Sequence, residues 1–264
     1  MIRALPLFQS PLVSIERCDH PPDVPHVDPD VEQSSTYCIS FVERGAFSVI
    51  TDHRAWTVGA HELFVTVPGL VYRCDHHNNP DDVCLCVGFG ADVDAGALNL
   101  RGLARQAPVA VLTNRRAYLQ RRLTQRLDAG DPLAIESIAG ELLHDTVDGA
   151  VPKRLYARTQ LAWYARRVDA ARDELEADYA SPHSLTSLAR SAGMSPFHFA
   201  RVFRELTDVP PHRYLVAVRL HAAVERLRQG ESVTDTCFAV GFNSLGHFIE
   251  MFRRMYGVSP SRFH

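Results

Sequence analysis

The C-terminal third of the chain contains the same pattern twice, and this limits the possible folds more than any other feature. The run that begins at Ser195 recurs from Ser244 at a spacing of 49 residues, as in the pair Phe203 and Phe252. The other pairs at this spacing are Phe199/Phe248, Arg204/Arg253, Val209/Val258, Pro211/Pro260, Arg213/Arg262 and Tyr214/Phe263. Upstream, Ser184/Ser232, Ala189/Cys237 and Gly193/Gly241 are 48 residues apart, so the second copy has one extra residue after its glycine. A repeat of this length predicts a duplicated supersecondary unit.

Each copy predicts a short helix, a tight turn and a second helix. Ser184 and Ser232 are suited to be N-cap residues, because their hydroxyls can accept from the free amides of a first helical turn. Gly193 and Gly241 suit a left-handed turn position, which a side chain disfavours. The Ser195-Pro196 pair predicts an N-cap followed by proline at the first helical position.

The second helix of each copy has one apolar and one basic side. Its apolar side is spaced at i, i+3 and i+4 and comprises Phe199, Val202 and Phe203 in one copy and Phe248, Met251 and Phe252 in the other. The outer side carries Phe197, Ala200, Arg201 and Arg204 in the first copy, and Leu245, Gly246, Ile249, Glu250 and Arg253 in the second. This arrangement is typical of DNA-reading helix-turn-helix units. An all-helical domain whose aromatic repeat serves only packing is the alternative, and it does not explain the duplicated outer arginines.

A helical segment from about Pro211 to Gln229 separates the copies, with Leu215, Val218, Ala222 and Leu227 on its apolar side. At about 1.5 Å per residue it is about 28 Å long. Successive major grooves on one side of B-DNA are about 34 Å apart. A rigid spacer of this length would let two helices enter adjacent grooves of one duplex.

From about Ala165 to His264 the chain resembles the C-terminal DNA-binding domain of AraC/XylS-type transcription regulators. The resemblance rests on residues 184–189, 193–199, 239–242, Phe248, Phe252-Arg253 and 257–260. It implies that base-facing positions are occupied by Phe197, Ala200, Arg201, Leu245, Gly246, Ile249 and Glu250. The predicted DNA-binding set is completed by Arg204, Ser244, Arg253 and Arg254. The resemblance also implies double-stranded DNA and RNA polymerase as partners, and a homodimer.

Two positions depart from the family's pattern. Glu250 is acidic and Gly246 has no side chain, where polar or basic residues are often found. Direct base reading by the second helix is therefore expected to be weaker, or to be aimed at cytosine amino groups, which a carboxylate can accept from.

Charge is distributed unequally along the chain. Residues 1–150 carry 12 basic and 20 acidic groups, a balance of −8, whereas residues 151–264 carry 16 and 11, a balance of +5. Only the C-terminal part has the sign that nucleic acid requires. The sequence has no apolar run of about 18 residues and no signal-peptide pattern, so no membrane partner is expected. Six cysteines without a framework spacing predict reduced thiols in a cytoplasmic protein.

The N-terminal part predicts a mainly-β domain. Short β-type runs at 36–42, 46–51, 54–58, 62–67 and 83–89 are separated by Gly, Asp or Pro, which favours a small antiparallel barrel or jelly roll. The stretch from Val58 to Gly69 resembles the strand-turn-strand of cupin-type sensor domains. Residues 17–35, rich in proline and aspartate, are expected to be extended or irregular.

The same domain contains two candidate ligand sites. Aromatic residues suited to line a pocket for a small organic effector are Tyr37, Phe41, Phe47, Trp56, Phe64 and Tyr72, although an ordinary aromatic core would contain the same residues. Cys74, His76, His77, Cys84 and Cys86 are weak candidates for metal ligands. Their spacing matches no recognised metal site, so no cofactor or metal is predicted. Buried strand thiols and a polar surface loop are the alternative interpretation.

Two amphipathic helices follow the β-type runs. Leu119, Leu123 and Leu127 are four residues apart, and Asp131-Pro132 opens a second helix with Ile135, Ile138, Leu142 and residues 144–147 on its apolar side. These helices match the place where AraC-like proteins often dimerise, or else they cover the mouth of the barrel. We expect a cupin-like effector and dimerisation domain at 1–150, a linker at 151–163, and an all-α double helix-turn-helix domain at 164–264.

The sequence therefore predicts a DNA-binding transcription regulator that is not an enzyme, with DNA reading controlled by an N-terminal sensor domain. A cupin-type metal-dependent enzyme is one alternative, and the lack of a recognisable metal triad weighs against it. A constitutive DNA-binding protein without an effector is the other, and it would not need an acidic N-terminal half.

Overall fold

The chain divides into two compact units, Met1–Leu155 and Tyr156–His264. The computed structural model describes residues 3–19, 31–52, 54–76, 81–90, 108–148 and 155–263. The division falls inside the range 151–163 predicted as a linker.

The first unit begins with two antiparallel sheets. The strands are β1 (Arg3–Gln9), β2 (Val13–Asp19), β3 (Glu32–Gln33), β4 (Tyr37–Arg44), β5 (Phe47–Thr51), β6 (Arg54–Val58), β7 (Glu62–Thr66), β8 (Val71–Asp75), β9 (Val83–Phe89) and β10 (Val109–Val111). One sheet has the order β1-β2-β9-β4-β7-β10 and the other β3-β8-β5-β6. All five predicted runs are strands, so the mainly-β prediction is confirmed, and the two-sheet arrangement is compatible with a cupin-like barrel.

The six-stranded sheet has an apolar core on each face, because its side chains alternate along every strand. On β4, Phe41 joins the core beneath the following helices. The neighbouring Val42 joins a second core shared with the four-stranded sheet, where Phe47 and Val49 of β5 meet Phe64 of β7. The two sheets therefore enclose an interior of their own.

Helices α1 (Asn114–Ala129) and α2 (Pro132–Asp148) cover the other face of the large sheet. Thr113 caps α1 by accepting from the amide of Arg116. The Arg116 guanidinium is buried and binds Asp145 Oδ2 at 2.9 Å and the Val111 carbonyl at 2.7 Å, which ties α1 to α2 and β10. Leu119, Leu123, Ile135, Ile138 and Leu142 pack against the sheet, as in the predicted alternative in which the helices cover the barrel, whereas Leu133 is exposed. His144 is exposed, and the side chain of Val147 lies outside the described part.

The second unit is helical. Its elements are α3 (Arg158–Ala177), α4 (Leu185–Ser191), α5 (Pro196–Thr207), α6 (Pro211–Arg228), α7 (Val233–Ala239), α8 (Leu245–Tyr256) and a 3-10 helix (Pro260–Arg262). Helix α3 starts at Arg158, inside the predicted linker and six residues before the predicted start at Tyr164. The pairs α4–α5 and α7–α8 are the two predicted helix-turn-helix units, and the all-helical prediction is confirmed.

Both copies of the repeat are closed by the same aromatic contact. After α5, Tyr214 packs edge-on against Phe203 with 5.7 Å between ring centroids. After α8, Phe263 packs in the same way against Phe252 at 5.3 Å. These are the pairs that the 49-residue spacing aligns.

The extra residue of the second copy lies in its turn. Four residues separate α4 from α5 (192–195), whereas five separate α7 from α8 (240–244). Within the part of the chain that the structure describes, no helix is both long and apolar enough to cross a membrane.

Candidate nucleic-acid interface

Helix α5 is held in place by its ends and its apolar side. Ser195 is its N-cap residue, without a capping hydrogen bond from its side chain, and Pro196 occupies the first turn. Phe199, Val202 and Phe203 are fully buried, as predicted. Gly193, in the preceding turn, has φ of 63°, which confirms the predicted left-handed position.

The opposite side of α5 presents three side chains in a row. Phe197, Arg201 and Arg204 follow one another at i, i+4 and i+7 and are all exposed, Phe197 to 87% and the Arg201 side chain to 61%. Ala200 is half-buried beside them. An outward stripe of one aromatic and two cationic side chains can approach a polyanion and contact bases beyond its phosphates.

Arg201 is oriented by a neighbour on its own helix. Its Nη1 lies 3.9 Å from Glu205 Oε2, one helical turn away. The same oxygen accepts a hydrogen bond of 2.5 Å from the hydroxyl of Tyr156, the first residue of the second unit. The ring of Tyr156 packs on Tyr164, with centroids 4.8 Å apart. Arg201 is thus connected, through Glu205, to the point where the chain enters this unit.

Helix α8 presents a different stripe at the equivalent positions. Gly246, Glu250 and Arg253 are exposed, so a glycine replaces the phenylalanine and a carboxylate replaces the first arginine. Arg254 is also exposed, and Ser244 caps the helix by accepting from the amide of His247. The predicted base-facing Leu245 and Ile249 are half-buried against the core of the second copy. Among the described residues no ion pair involves Arg253 or Arg254, so both cations are available to phosphates.

Glu250 is predicted to act as a specificity filter. A carboxylate close to phosphates raises the cost of every wrong site, and it is tolerated where a cytosine amino group donates to it. Glu250→Gln is therefore expected to bind non-cognate DNA more tightly at low salt, by about 0.5–1 kcal/mol. Titration of a labelled non-cognate duplex at two salt concentrations measures this. Unchanged affinity would mean that Glu250 is turned away from the groove.

The two helix-turn-helix units are joined through the loop between α3 and α4. Arg219 of α6 donates to the Tyr179 carbonyl at 2.7 Å and to the Ser181 carbonyl at 2.9 Å. Between them, the Ala180 carbonyl oxygen approaches Gly241 so closely that an added Cβ would lie 2.4 Å away. Three consecutive carbonyls of this loop therefore contact the spacer helix or the second copy. This holds the two copies in a defined relation.

The sequence reasoning missed the residues that support α4 and α5. Arg167 stacks on Trp163, 3.5 Å from its ring centroid, and donates to the carbonyl at the C-terminal end of α4, Ala192, at 2.8 Å. The Tyr164 hydroxyl lies 3.1 Å from His198 Nε2, at the first turn of α5. The (i, i+4) spacing of Arg201 and Glu205 was a visible signal for their pairing, whereas Arg167 and Tyr164 contact residues 25 and 34 positions away.

The six predicted effector-pocket residues do not share one lining. Tyr37 and Phe41 belong to the core beneath α1 and α2, on the opposite face of the large sheet from the interior. Phe64 contacts Phe47 at 6.1 Å and Tyr72 at 5.1 Å between centroids, inside the space enclosed by the two sheets. The sixth, Trp56, is half-buried on the edge strand β6 beneath the Arg54 guanidinium. As a common pocket lining, the prediction is wrong for Tyr37 and Phe41, because the alternation of β4 turns both away from the interior.

The predicted metal candidates are not arranged as ligands in the described structure. Across residues 3–19, 31–52, 54–76, 81–90, 108–148 and 155–263, no three His, Cys, Asp or Glu side chains form a group that could hold a metal ion. His76 Nδ1 instead pairs with the buried Asp82 at 3.0 Å, and its ring stacks on Phe47. Cys74, Cys84 and Cys86 belong to the interior between the sheets. His77 lies outside the described residues.

Thiols of this interior contact one another. Cys86 Sγ lies 3.8 Å from Cys18 Sγ and accepts a hydrogen bond from Ser40 Oγ at 3.5 Å. The contact with Cys86, together with burial, raises the pKa of both the Cys18 and the Cys38 thiols. Burial also raises the pKa of Cys84. These groups remain protonated thiols at neutral pH, which lowers their reactivity.

Alkylation of these thiols is expected to be slow in the folded protein. Because each unit of pKa increase lowers the thiolate fraction tenfold at a given pH, iodoacetamide at pH 8 should modify Cys18, Cys38 and Cys84 at least about tenfold more slowly than in denatured protein. Mass spectrometry of quenched samples measures the rate at each cysteine. A fast reaction at Cys84 in the native state would show instead that this thiol is activated and fit for redox sensing.

Comparison with known proteins identifies the C-terminal unit. Residues 188–264 match the protein family described as "Helix-turn-helix domain". An HTH-type transcriptional regulator of Haemophilus influenzae is 29% identical over 141 residues, which are 53% of this chain and 47% of that protein. The probable transcriptional regulator LumQ of Photobacterium leiognathi is 24% identical over 246 residues, 84% of this chain and 97% of that protein. The chain thus spans about half the length of the first relative and nearly all of the second.

Among solved structures, a probable AraC family transcriptional regulator from Rhodopseudomonas palustris is 28% identical. The match covers 37% of this chain and 94% of that one, with a TM-score of 0.36. The predicted helix-turn-helix domain is confirmed by the family match, and the two relatives are named as transcriptional regulators.

Proposed function

Since the second unit carries an AraC-type helix-turn-helix domain, we propose that the chain is a sequence-specific transcription regulator that reads DNA through α5 and α8 in adjacent major grooves. The single observation that carries this is the exposed arginine that recurs on the outward side of each second helix. Arg204 of α5 and Arg253 of α8 occupy equivalent exposed positions, each behind a fully buried phenylalanine pair. Packing needs the phenylalanines and makes no use of the arginines.

The spacing of the two helices supports entry into adjacent grooves. Helix α6 has 18 residues, which is about 27 Å at 1.5 Å per residue. Its Arg219 binds the loop that also contacts Gly241, so one loop fixes both the spacer helix and the second copy. Pre-organisation of this kind reduces the entropy lost on binding DNA.

Control by the first unit is the finer part of the proposal. The aromatic cluster of Phe47, Phe64 and Tyr72 gives the interior between the sheets the character of a small-molecule site. The contact of Tyr156 with Glu205 gives a route by which a change at the interdomain boundary alters the orientation of Arg201. Linkage limits the size of such control to the effector's preference for one state.

The proposed partners beyond DNA rest on the family resemblance. They are RNA polymerase and a second copy of the chain. Because Leu119, Leu123, Ile135, Ile138 and Leu142 are buried on the sheet, a dimer through these helices would use their outward sides, which include the exposed Leu133. A regulator that binds chromosomal DNA is expected to act in the cytoplasm.

A cupin-type enzyme is the competing function, and the arrangement of His76, Asp82 and the interior thiols gives it no support. The His76 ring is committed to Asp82 and Phe47. The relatives reported above are named as transcriptional regulators, in agreement with a chain that is not an enzyme.

Selection of bound duplexes from a randomised library by the full-length protein tests the proposal. We expect an enriched site with two half-sites whose centres are about one helical turn apart. Affinity for this site should fall steeply with salt, because arginine–phosphate contacts release counterions. Enrichment of no sequence, or of one short half-site only, would contradict reading by two helices.

A further inference from the structure

The most exposed large apolar side chain of the described residues lies on the predicted reading surface. Phe197 is 87% exposed, whereas Phe199 and Phe203, on the same helix, are fully buried. Exposing a phenylalanine to water costs about 1.5–3 kcal/mol relative to burying it. Single exposed apolar residues are common on proteins. Phe197 differs from these because it lies in line with Arg201 and Arg204, so its position indicates a role in DNA binding.

The outward direction of Phe197 is imposed by its neighbours. Pro196 precedes it in the first turn. His198, which follows it, is held by the Tyr164 hydroxyl at 3.1 Å, and Phe199 is locked in the core. The first turn of α5 therefore cannot rotate to bury Phe197 without breaking these contacts. The ring is presented by a rigid part of the helix.

Arg201 and Arg204, which lie in line with Phe197 on the same side of α5, indicate the kind of partner that would contact the ring. An aromatic group in line with two exposed cations is complementary to a surface that is anionic and has an apolar group behind the charge. In the DNA major groove the phosphates supply the negative charge, and the 5-methyl group of a pyrimidine is the apolar group on the base edges. A phenyl ring has no donor or acceptor for the other major-groove groups.

We propose that Phe197 reads the 5-methyl group of a pyrimidine, carried by thymine, in the half-site bound by α5. This rests on the proposed function and adds the chemistry of one of its specificity contacts. The contact belongs to the first helix alone, because Gly246 at the equivalent position of α8 has no side chain. The half-site of α5 then contains a methyl-bearing pyrimidine beside the base read by Arg201.

Uracil differs from thymine only by the missing methyl group, which allows a direct test. In the duplex selected by the full-length protein, each thymine of the α5 half-site is replaced in turn by deoxyuridine. We expect at least one replacement to weaken binding by about four-fold, the value for one buried methyl at about 0.8 kcal/mol. In Phe197→Ala, thymine and uracil duplexes should bind equally. Because the ring is exposed, this variant should fold as the wild type does.

Phe238→Ala is the matched control. Phe238 is also an exposed phenylalanine of this unit, at 57%, but it lies on α7, the first helix of the second copy. This variant should keep the full difference between thymine and uracil. If it lost the difference as Phe197→Ala does, the effect would come from general changes and the inference would be wrong.

The same position with 5-methylcytosine and cytosine separates the two sources of the methyl group. If only thymine binds more tightly than uracil, the contact is assigned to thymine. If 5-methylcytosine also binds more tightly than cytosine, the contact is assigned to the methyl group of either base. Equal binding within both pairs at every position overturns the inference, although the protein would still select its site. Failure to select any site would instead overturn the proposed function itself.

Discussion

Replacing Gly241 by alanine is expected to lower the free energy of unfolding of the second unit by about 2–5 kcal/mol. Two costs combine here. Its φ of 90° is a conformation that costs an L-residue about 1–2 kcal/mol. The added Cβ would also meet the Ala180 carbonyl oxygen at 2.4 Å, and overpacking of this kind costs about 1–3 kcal/mol.

The repeat supplies the control at the equivalent position. Gly193 has φ of 63°, and nothing lies within 4 Å of a Cβ built on it, so Gly193→Ala is expected to cost only about 1–2 kcal/mol. Denaturant unfolding of both variants can be followed by Trp163 fluorescence in a Trp56→Phe background, which isolates the signal of the second unit. Equal losses in the two variants would show that the Ala180 contact relaxes without cost.

The largest effect on DNA reading is expected for Arg201→Ala. A bidentate arginine–guanine contact is worth about 1–3 kcal/mol of discrimination, so this variant should lose that much discrimination and relax the base preference in one half of the site. Arg204→Ala and Arg253→Ala should instead weaken binding to all sequences alike, since phosphate contacts carry no sequence information. Gel shifts on the selected site and on a scrambled duplex compare the three variants.

Arg201→Lys separates charge from shape. Lysine keeps the positive charge but has no planar fork for bidentate pairing. It should restore non-specific affinity and leave discrimination impaired. If Arg201→Ala left the base preference untouched, the proposed direction of α5 would be incorrect.

The helix-turn-helix units could be predicted from the sequence because their signals are local. The caps at Ser184 and Ser232 accept from backbone amides three residues ahead, as predicted. The turn glycines and the buried phenylalanines follow from backbone sterics and helical periodicity. Because the same signals occur in both copies, each assignment in one copy is supported by the equivalent residue of the other.

The first unit was less predictable, because its contacts are distant in sequence. Strand β2 pairs with β9, so that Cys18 faces Cys84 across 66 positions. Strand β1 contains Pro6 and an irregularity between Pro6 and Phe8, which hides its alternation. The alternation along β4 was visible in the sequence, but the sequence did not show which face of the sheet the helices would cover. For this reason Tyr37 and Phe41 were assigned to the wrong face.

The contacts that fix the two helix-turn-helix units relative to each other were also beyond local patterns. Arg219 binds the carbonyls of Tyr179 and Ser181. Because every residue has a backbone carbonyl, the sequence does not show which ones act as acceptors. The exposure of Phe197 was consistent with its predicted outer position. Its degree of exposure, at 87%, needed the structure.

The difference between the stripes of α5 and α8 gives a bound duplex a direction. A dimer of identical halves would read the same in both orientations, whereas one protomer with Phe197 and Arg201 on one helix and Gly246 and Glu250 on the other would not. Reversing its site would exchange the bases offered to the two helices and abolish the match. A protomer would therefore bind an asymmetric site in one orientation only, so a single protomer could distinguish the upstream from the downstream side of a gene.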